Sequence, residues 1–243
     1  MSTNLGTIII GHPRSGTTLL RRLLNAHSQF ASPSETHLLS ASARFIQSEY
    51  TNQGLDVGVL SGLSYIGVKD TEVLSNIRSL VSRYLSAFAE EQGKPRWVEK
   101  TAYDSFYIEE ISKIFEDDAK YIGVIRHPLD VAISTKEFCD SMGFTPAVFK
   151  EFSDNNASYL QAYCSSWASV AYDLLALQER YPSNVKIIRY EDLVTNTEAK
   201  LRELCRFLGE EFEPQMLDFS NRDSTPLGFS DHKAFRSGVV DSS

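Results

Sequence analysis

Two hydrophobic registers take turns along this chain. Short apolar runs that end at a glycine or a charge are followed by stretches whose apolar residues recur three and four positions apart. The β-branched run Ile8-Ile9-Ile10 stops at Gly11, and after a polar loop Leu19, Leu20, Leu23 and Leu24 form one stripe. This predicts a buried strand and then a helix over Thr18–Ala26, with Arg21 and Arg22 off the apolar face. The change of register repeats. Val73, Ile77, Leu80, Val81, Tyr84 and Phe88 mark the inward face of a helix capped by Asp70, running to Glu91 and stopped by Gly93. A strand is expected at Arg96–Thr101, a helix at Ile108–Phe115, and a second buried strand at Lys120–Ile125 leading into a helix started by Pro128. A long helix over Asn156–Arg180 carries Tyr163, Trp167, Val170, Leu174 and Leu177 as its core stripe. A strand at Val185–Arg189 and a helix at Glu198–Leu208, stopped by Gly209, follow.

Strands alternating with helices predict an α/β domain of three layers around a central parallel sheet. Residues 1–243 read as one domain, with 213–243 as a C-terminal tail or cover. Ser32 fits an N-cap, Pro33 the first helical position and Glu35 the third, so a further helix is expected from there towards Tyr50. Thr51–Lys69 reads as an irregular loop over the site. Cys139–Ser153 reads as another loop, whose Met142, Phe144 and Phe149 supply either core packing or apolar walls for a bound molecule.

Composition narrows the function classes. The chain is 42% hydrophobic and 23% charged with a net charge of −8, which argues against a general basic surface for nucleic acid or anionic membrane. An anionic ligand would then need a local basic pocket. Cys139, Cys164 and Cys205 are odd in number and show neither metal spacing nor a disulfide framework, which suits a reducing cytoplasm. No apolar run approaches the roughly twenty residues of a membrane span, and Met1-Ser2-Thr3-Asn4 lacks the basic start of a signal peptide.

The chemistry concentrates in the first loop. Gly11-His12-Pro13-Arg14-Ser15-Gly16-Thr17-Thr18 has the spacing of the nucleotide-binding loop G-x-x-x-x-G-K-[ST], but Thr17 stands at the lysine position and the cation is Arg14, inside the loop. Such a loop grips a phosphate through backbone N–H groups, the Thr17 and Thr18 hydroxyls and one guanidinium. It lacks the fixed charge that γ-phosphoryl transfer uses.

Pro13-Arg14-Ser15-Gly16-Thr17-Thr18-Leu19-Leu20 resembles the 5′-phosphosulfate loop of sulfotransferases, most closely bacterial sulfotransferases and tyrosylprotein sulfotransferases. These enzymes move a sulfuryl group from 3′-phosphoadenosine 5′-phosphosulfate (PAPS) to an acceptor and release adenosine 3′,5′-bisphosphate (PAP). Three later segments match the same family in the same order. Lys100, in Glu99-Lys100-Thr101, resembles the lysine that reaches the transferring group. Arg126-His127-Pro128-Leu129-Asp130-Val131-Ala132-Ile133-Ser134 resembles the 3′-phosphate segment, which implies that Arg126 and Ser134 hold that phosphate. Tyr190-Glu191-Asp192-Leu193 resembles the segment whose tyrosine approaches the nucleotide. The resemblance further implies Arg14, Ser15, Gly16, Thr17 and Thr18 at the 5′-phosphate, and Lys233 and Arg236 in a cover over the nucleotide. The chain stops at Ser242-Ser243, where the family continues into another helix, so a shortened tail is expected.

For the catalytic base the resemblance points to Glu35, soon after the loop helix. The local rival is a capping box with Ser32, and His37 is the fallback base. Glu191 and Asp192 could hold Mg²⁺, but Asp192 fits a helix cap better, and no metal is expected. The alternatives are a nucleotide kinase or phosphotransferase using ATP–Mg²⁺, and a nucleotide-binding protein without turnover. The acceptor stays open among small-molecule, carbohydrate and peptide hydroxyls, as does the oligomeric state.

Overall fold

A computed structural model describes residues 6–50, 54 and 56–218. Five strands form one parallel sheet: β1 (Gly6–Ile10), β2 (Phe30–Ala31), β5 (Arg96–Glu99), β6 (Ala119–Ile125) and β7 (Val185–Arg189), in the order β2-β5-β1-β6-β7. The apolar triplet of β1 is central and buried on both faces. Ile8 and Ile10 pack into one core cluster and Ile9 into the opposite one, as the two-residue strand period requires. One face carries α2 (Leu38–Ile46), α4 (Asp70–Glu91), α5 (Ile108–Phe115) and α8 (Tyr159–Arg180). The other carries α1 (Thr17–Asn25) and α10 (Thr197–Leu208). This is the expected three-layer α/β architecture.

The chain crosses from β1 to β2 and β5 on one side, then to β6 and β7 on the other. β1 is therefore the switch point, and the crevice beyond its carboxyl end is where such sheets bind ligands. Register decides which residues meet there. Ile10 pairs with Gly123 and Ile125 with Arg189, so Arg126 and Tyr190 leave the sheet side by side.

Several local expectations are corrected. Residues 32–37 are not helical, and α2 begins at Leu38 and ends at Ile46. The Ser32 hydroxyl donates to Val98 O (2.7 Å) and its N–H to Asn25 Oδ1 (2.9 Å), so Ser32 caps no helix. Arg21, placed by the pattern off the core, is fully buried and donates to the carbonyls of Ser32 and Pro33. These tertiary bonds replace a cap contribution of only about 1 kcal/mol. Leu80 and Tyr84 of α4 are exposed, and the helix buries Val73, Ile77, Val81, Leu85 and Ala89 instead. Asp70 is the first residue of α4, and Lys69 holds the cap position.

The expected loop over 51–69 contains α3 (Val59–Ser64) and β4 (Asp56–Val57), which pairs antiparallel with β3 (Glu49–Tyr50), at the end of the stretch expected to be helical. The expected loop over 139–153 is mostly helical. α6 runs Pro128–Met142, Gly143 ends it at φ 72°, and α7 spans Ala147–Asp154. Asp192 lies in the first turn of α9 (Tyr190–Thr195), whose cap position belongs to Arg189.

Candidate active site

The loop between β1 and α1 curls because two of its residues take left-handed backbone conformations, Arg14 at φ 75° and Gly16 at φ 89°. For a non-glycine residue this costs roughly 1–2 kcal/mol, and Arg14 is held there from both ends. Its carbonyl accepts from Arg126 Nη1 (3.2 Å), and its Nε donates to Ser134 Oγ (3.2 Å). Its guanidinium also lies 5.8 Å from the Phe138 ring centre. A side chain at Gly16 would strike the Tyr190 ring, and one at Gly11 would meet Val124 O at 2.6 Å, so both glycines are close-approach positions. α1 has no side-chain cap, and its first-turn N–H groups have no helical carbonyl to bond. Thr17 is buried in that turn. Ser15 is fully buried, and its hydroxyl has no partner in the described structure.

The second segment locks onto the first. The Arg126 guanidinium stacks on Tyr190 at 4.6 Å from the ring centre. The Arg126 carbonyl accepts from Trp167 Nε1 (3.0 Å), a role for this tryptophan that its place in a helical core stripe did not signal. Arg126 Nε is buried without a partner in the described structure. The expected 5′ and 3′ subsites are contiguous, because Arg14 bonds Ser134. Tyr190 touches both segments, with its ring against Gly16 and under Arg126. Glu191 accepts from the His127 N–H (2.8 Å) and so fixes the turn into α6.

The third component enters from β5. Lys100 is 1% exposed, and its ammonium has two partners: Nζ donates to Thr18 Oγ1 of the loop (3.0 Å) and to Glu35 Oε1 (2.7 Å). Glu35 also accepts from Ala102 N (3.1 Å). The capping-box reading of Glu35 is therefore overturned, since its carboxylate faces Lys100 and the start of a 3₁₀ turn (Ala102–Phe106). His37 is exposed at φ 58°, and its N–H donates to Thr101 Oγ1 (3.2 Å). Behind the pair lie two buried carboxyls that the sequence reading passed over, Glu99 and Asp104. Burial raises both, Glu99 to about 7 and Asp104 well above the usual range. Tyr103 is raised to about 12 by burial and then by the charge of Glu35, with Arg14 acting in the opposite direction.

His12 has no part in this constellation. Its Nδ1–H donates to Pro13 O (2.8 Å), leaving Nε2 to accept from Ser166 Oγ (2.8 Å). Packed against Phe106 and Phe149, it is lowered to about 4 by burial and stays neutral. Phe149 is thus core, while Phe144 lines a cavity of about 640 Å³ between α6, α7 and α8 with Cys139, Tyr159 and Tyr163. Lys233 and Arg236 lie outside the described residues.

A glycine-bounded loop at the switch point of a parallel sheet, with the buried Lys100 from β5 and the half-buried Arg126 after β6 beside it, defines an α/β protein built to hold an anion there. Comparison with known proteins narrows this class. The model of the sulfotransferase family matches residues 7–214, and the chain belongs to that family. It is 26% identical to the nodulation protein NoeE of Sinorhizobium fredii, over 96% of this chain and 57% of that protein. Human sulfotransferase 4A1 is 25% identical, over 86% of this chain and 62% of that protein. The chain thus spans less than two thirds of these relatives. Among solved structures, the sulfotransferase domain from the curacin biosynthetic pathway superimposes with a TM-score of 0.63 at 25% identity, covering 93% of this chain and 81% of that one. The sulfotransferase domain of the Synechococcus PCC 7002 olefin synthase shares the fold, with a TM-score of 0.58 at 24% identity over 88% and 76% of the two chains.

Proposed function

We propose that this chain transfers a sulfuryl group from PAPS to a hydroxyl acceptor and releases PAP. The observation that carries the reading is Lys100, whose buried ammonium joins the loop residue Thr18 to the carboxylate of Glu35. A cation and a base thereby stand together at the mouth of an anion loop. The residues fit a nucleotide with phosphates at both ends. Ser15 and Arg126 each carry a buried polar atom without a partner in the described structure, in the two segments that Arg14 ties together.

In this reading PAPS supplies an activated sulfuryl group whose leaving group is a phosphate. The first-turn N–H groups of α1, with Ser15, Gly16, Thr17 and Thr18, hold the 5′-phosphate, and Arg126 and Ser134 hold the 3′-phosphate. Tyr190 stacks under Arg126 and keeps the two subsites in register. Arg14 and Lys100 place positive charge where the bridging oxygen gains negative charge as the S–O bond breaks. Glu35 takes the acceptor's proton as the new O–S bond forms. The reading treats residues 1–243 as one domain. It places the protein in the cytoplasm, in keeping with three free cysteines.

A thermal-shift comparison tests the nucleotide class. PAP should raise Tm more than ATP–Mg²⁺, and the reverse order would favour a phosphotransferase. Turnover with labelled PAPS across a panel of carbohydrate, phenol and peptide hydroxyls then identifies the acceptor.

Two substitutions probe the subsites. Arg14→Ala removes a charge-assisted contact, so PAP binding by calorimetry should weaken by about 1.5–3 kcal/mol. Unchanged affinity would place the anion elsewhere. Arg126→Ala should narrow the preference for PAP over AMP, because only PAP has the phosphate that Arg126 would hold. A variant that keeps the full preference would remove Arg126 from the 3′ subsite.

A further inference from the structure

We infer that Glu99 is the positioning residue for the Glu35–Lys100 pair, acting through the hydroxyls of Thr36 and Thr101. The inference rests on the functional reading above for what the pair does, and on geometry alone for how the pair is held.

Glu99 ends β5, next to Lys100, and is fully buried. Its Oε1 accepts from Thr36 Oγ1 (2.9 Å) and from Thr101 Oγ1 (2.8 Å). Each hydroxyl accepts in turn from the backbone that follows Glu35: Thr36 Oγ1 from Leu38 N (3.2 Å), and Thr101 Oγ1 from His37 N (3.2 Å). One carboxyl oxygen thus orders two donor–acceptor chains that end on the N–H groups entering α2. Because α2 has no side-chain cap at His37, these chains and Asp104, which accepts from Ser40 N (3.0 Å), take the N–H groups of His37, Leu38 and Ser40 at its start. The segment so fixed is the one that presents Glu35 to Lys100 and Ala102.

No regular structure would otherwise hold it. Residues 32–37 are irregular and His37 is left-handed. Upstream, Arg21 fixes the carbonyls of Ser32 and Pro33. Downstream, Glu99 fixes the turn, and Glu35 lies between the two anchors. Oε2 of Glu99 has no partner in the described structure, and burial favours its neutral form. The role therefore asks for an acceptor at Oε1 and not for a charge, which a glutamine can supply.

The test pairs hydrogen exchange with kinetics. Glu99→Ala should speed amide exchange at residues 36–38 and lower kcat by about 10- to 100-fold, with KM for PAPS and PAP affinity near parental. Glu99→Gln should stay within about threefold of the parent on both readouts, since a purely acceptor role survives the change. Thr36→Val should follow Glu99→Ala and Thr36→Ser the parent, which keeps the test open should Glu99→Ala not fold. Parental exchange at 36–38 and parental kcat in Glu99→Ala and Thr36→Val would overturn the inference, as would a Glu99→Gln variant as impaired as Glu99→Ala. Should the parent fail to turn over PAPS while exchange at 36–38 responds as expected, the catalytic reading falls and the positioning role stands.

Discussion

Glu35→Gln is expected to keep PAP affinity near parental, to lower the melting temperature less than Lys100→Ala does because the amide still accepts from the Lys100 ammonium, and to lower kcat by about 10²–10⁴-fold, the range that a positioned general base contributes. The expectation follows from where the carboxylate stands. Glu35 takes no part in capping α2, which starts three residues later, so the amide substitution removes no helix-terminal bond. Glutamine can still accept through its carbonyl from Lys100 and Ala102, the two groups that hold Glu35 in place. It cannot take a proton. Stopped-flow or steady-state turnover with labelled PAPS, beside calorimetry with PAP, separates the two effects. A Glu35→Gln variant as fast as the parent, with an inactive His37→Ala, would move the base to His37, whose exposed ring lies two residues on.

Lys100→Ala is expected to damage stability as well as activity. The side chains of Lys100 and Glu35 are 1% and 4% exposed. Removing the cation strands a buried carboxylate, which typically costs about 3–5 kcal/mol. In a chain of this size that corresponds to a fall in Tm of about 6–20 °C. Lys100→Ala combined with Glu35→Ala should recover part of the lost Tm, since no unpaired charge is then buried. Both variants should be inactive. Differential scanning calorimetry of the two single variants and the double variant measures the coupling, and additive losses would show that the pair contributes nothing beyond its separate residues.

The sequence by itself determined the layers, the anion loop and the order of the strands along the chain. Ile8, Ile9 and Ile10 admit little but a strand buried on both faces. Gly11 and Gly16 bound a loop that only a close approach of Val124 and Tyr190 explains in full. Arg126 was legible because a charged residue that ends an apolar strand lies at the ligand edge of a parallel sheet, and register sets it beside Tyr190.

Tertiary structure alone decided the environment of Glu35. Ser32-Pro33-Ser34-Glu35 carries a local helix-start signal, but such signals are worth about 1 kcal/mol. Here they compete with bonds from Asn25, Arg21, Val98, Lys100 and Ala102, up to 67 positions away in the chain, which no local window contains. Glu99 escaped notice for the same reason. An acidic residue at the end of a strand reads as solvated, and only the approach of Thr36 from another segment turns it into a buried acceptor. Short-range physics chose the elements. The polar residues that complete the site were fixed by bonds formed only once the sheet had brought distant segments together.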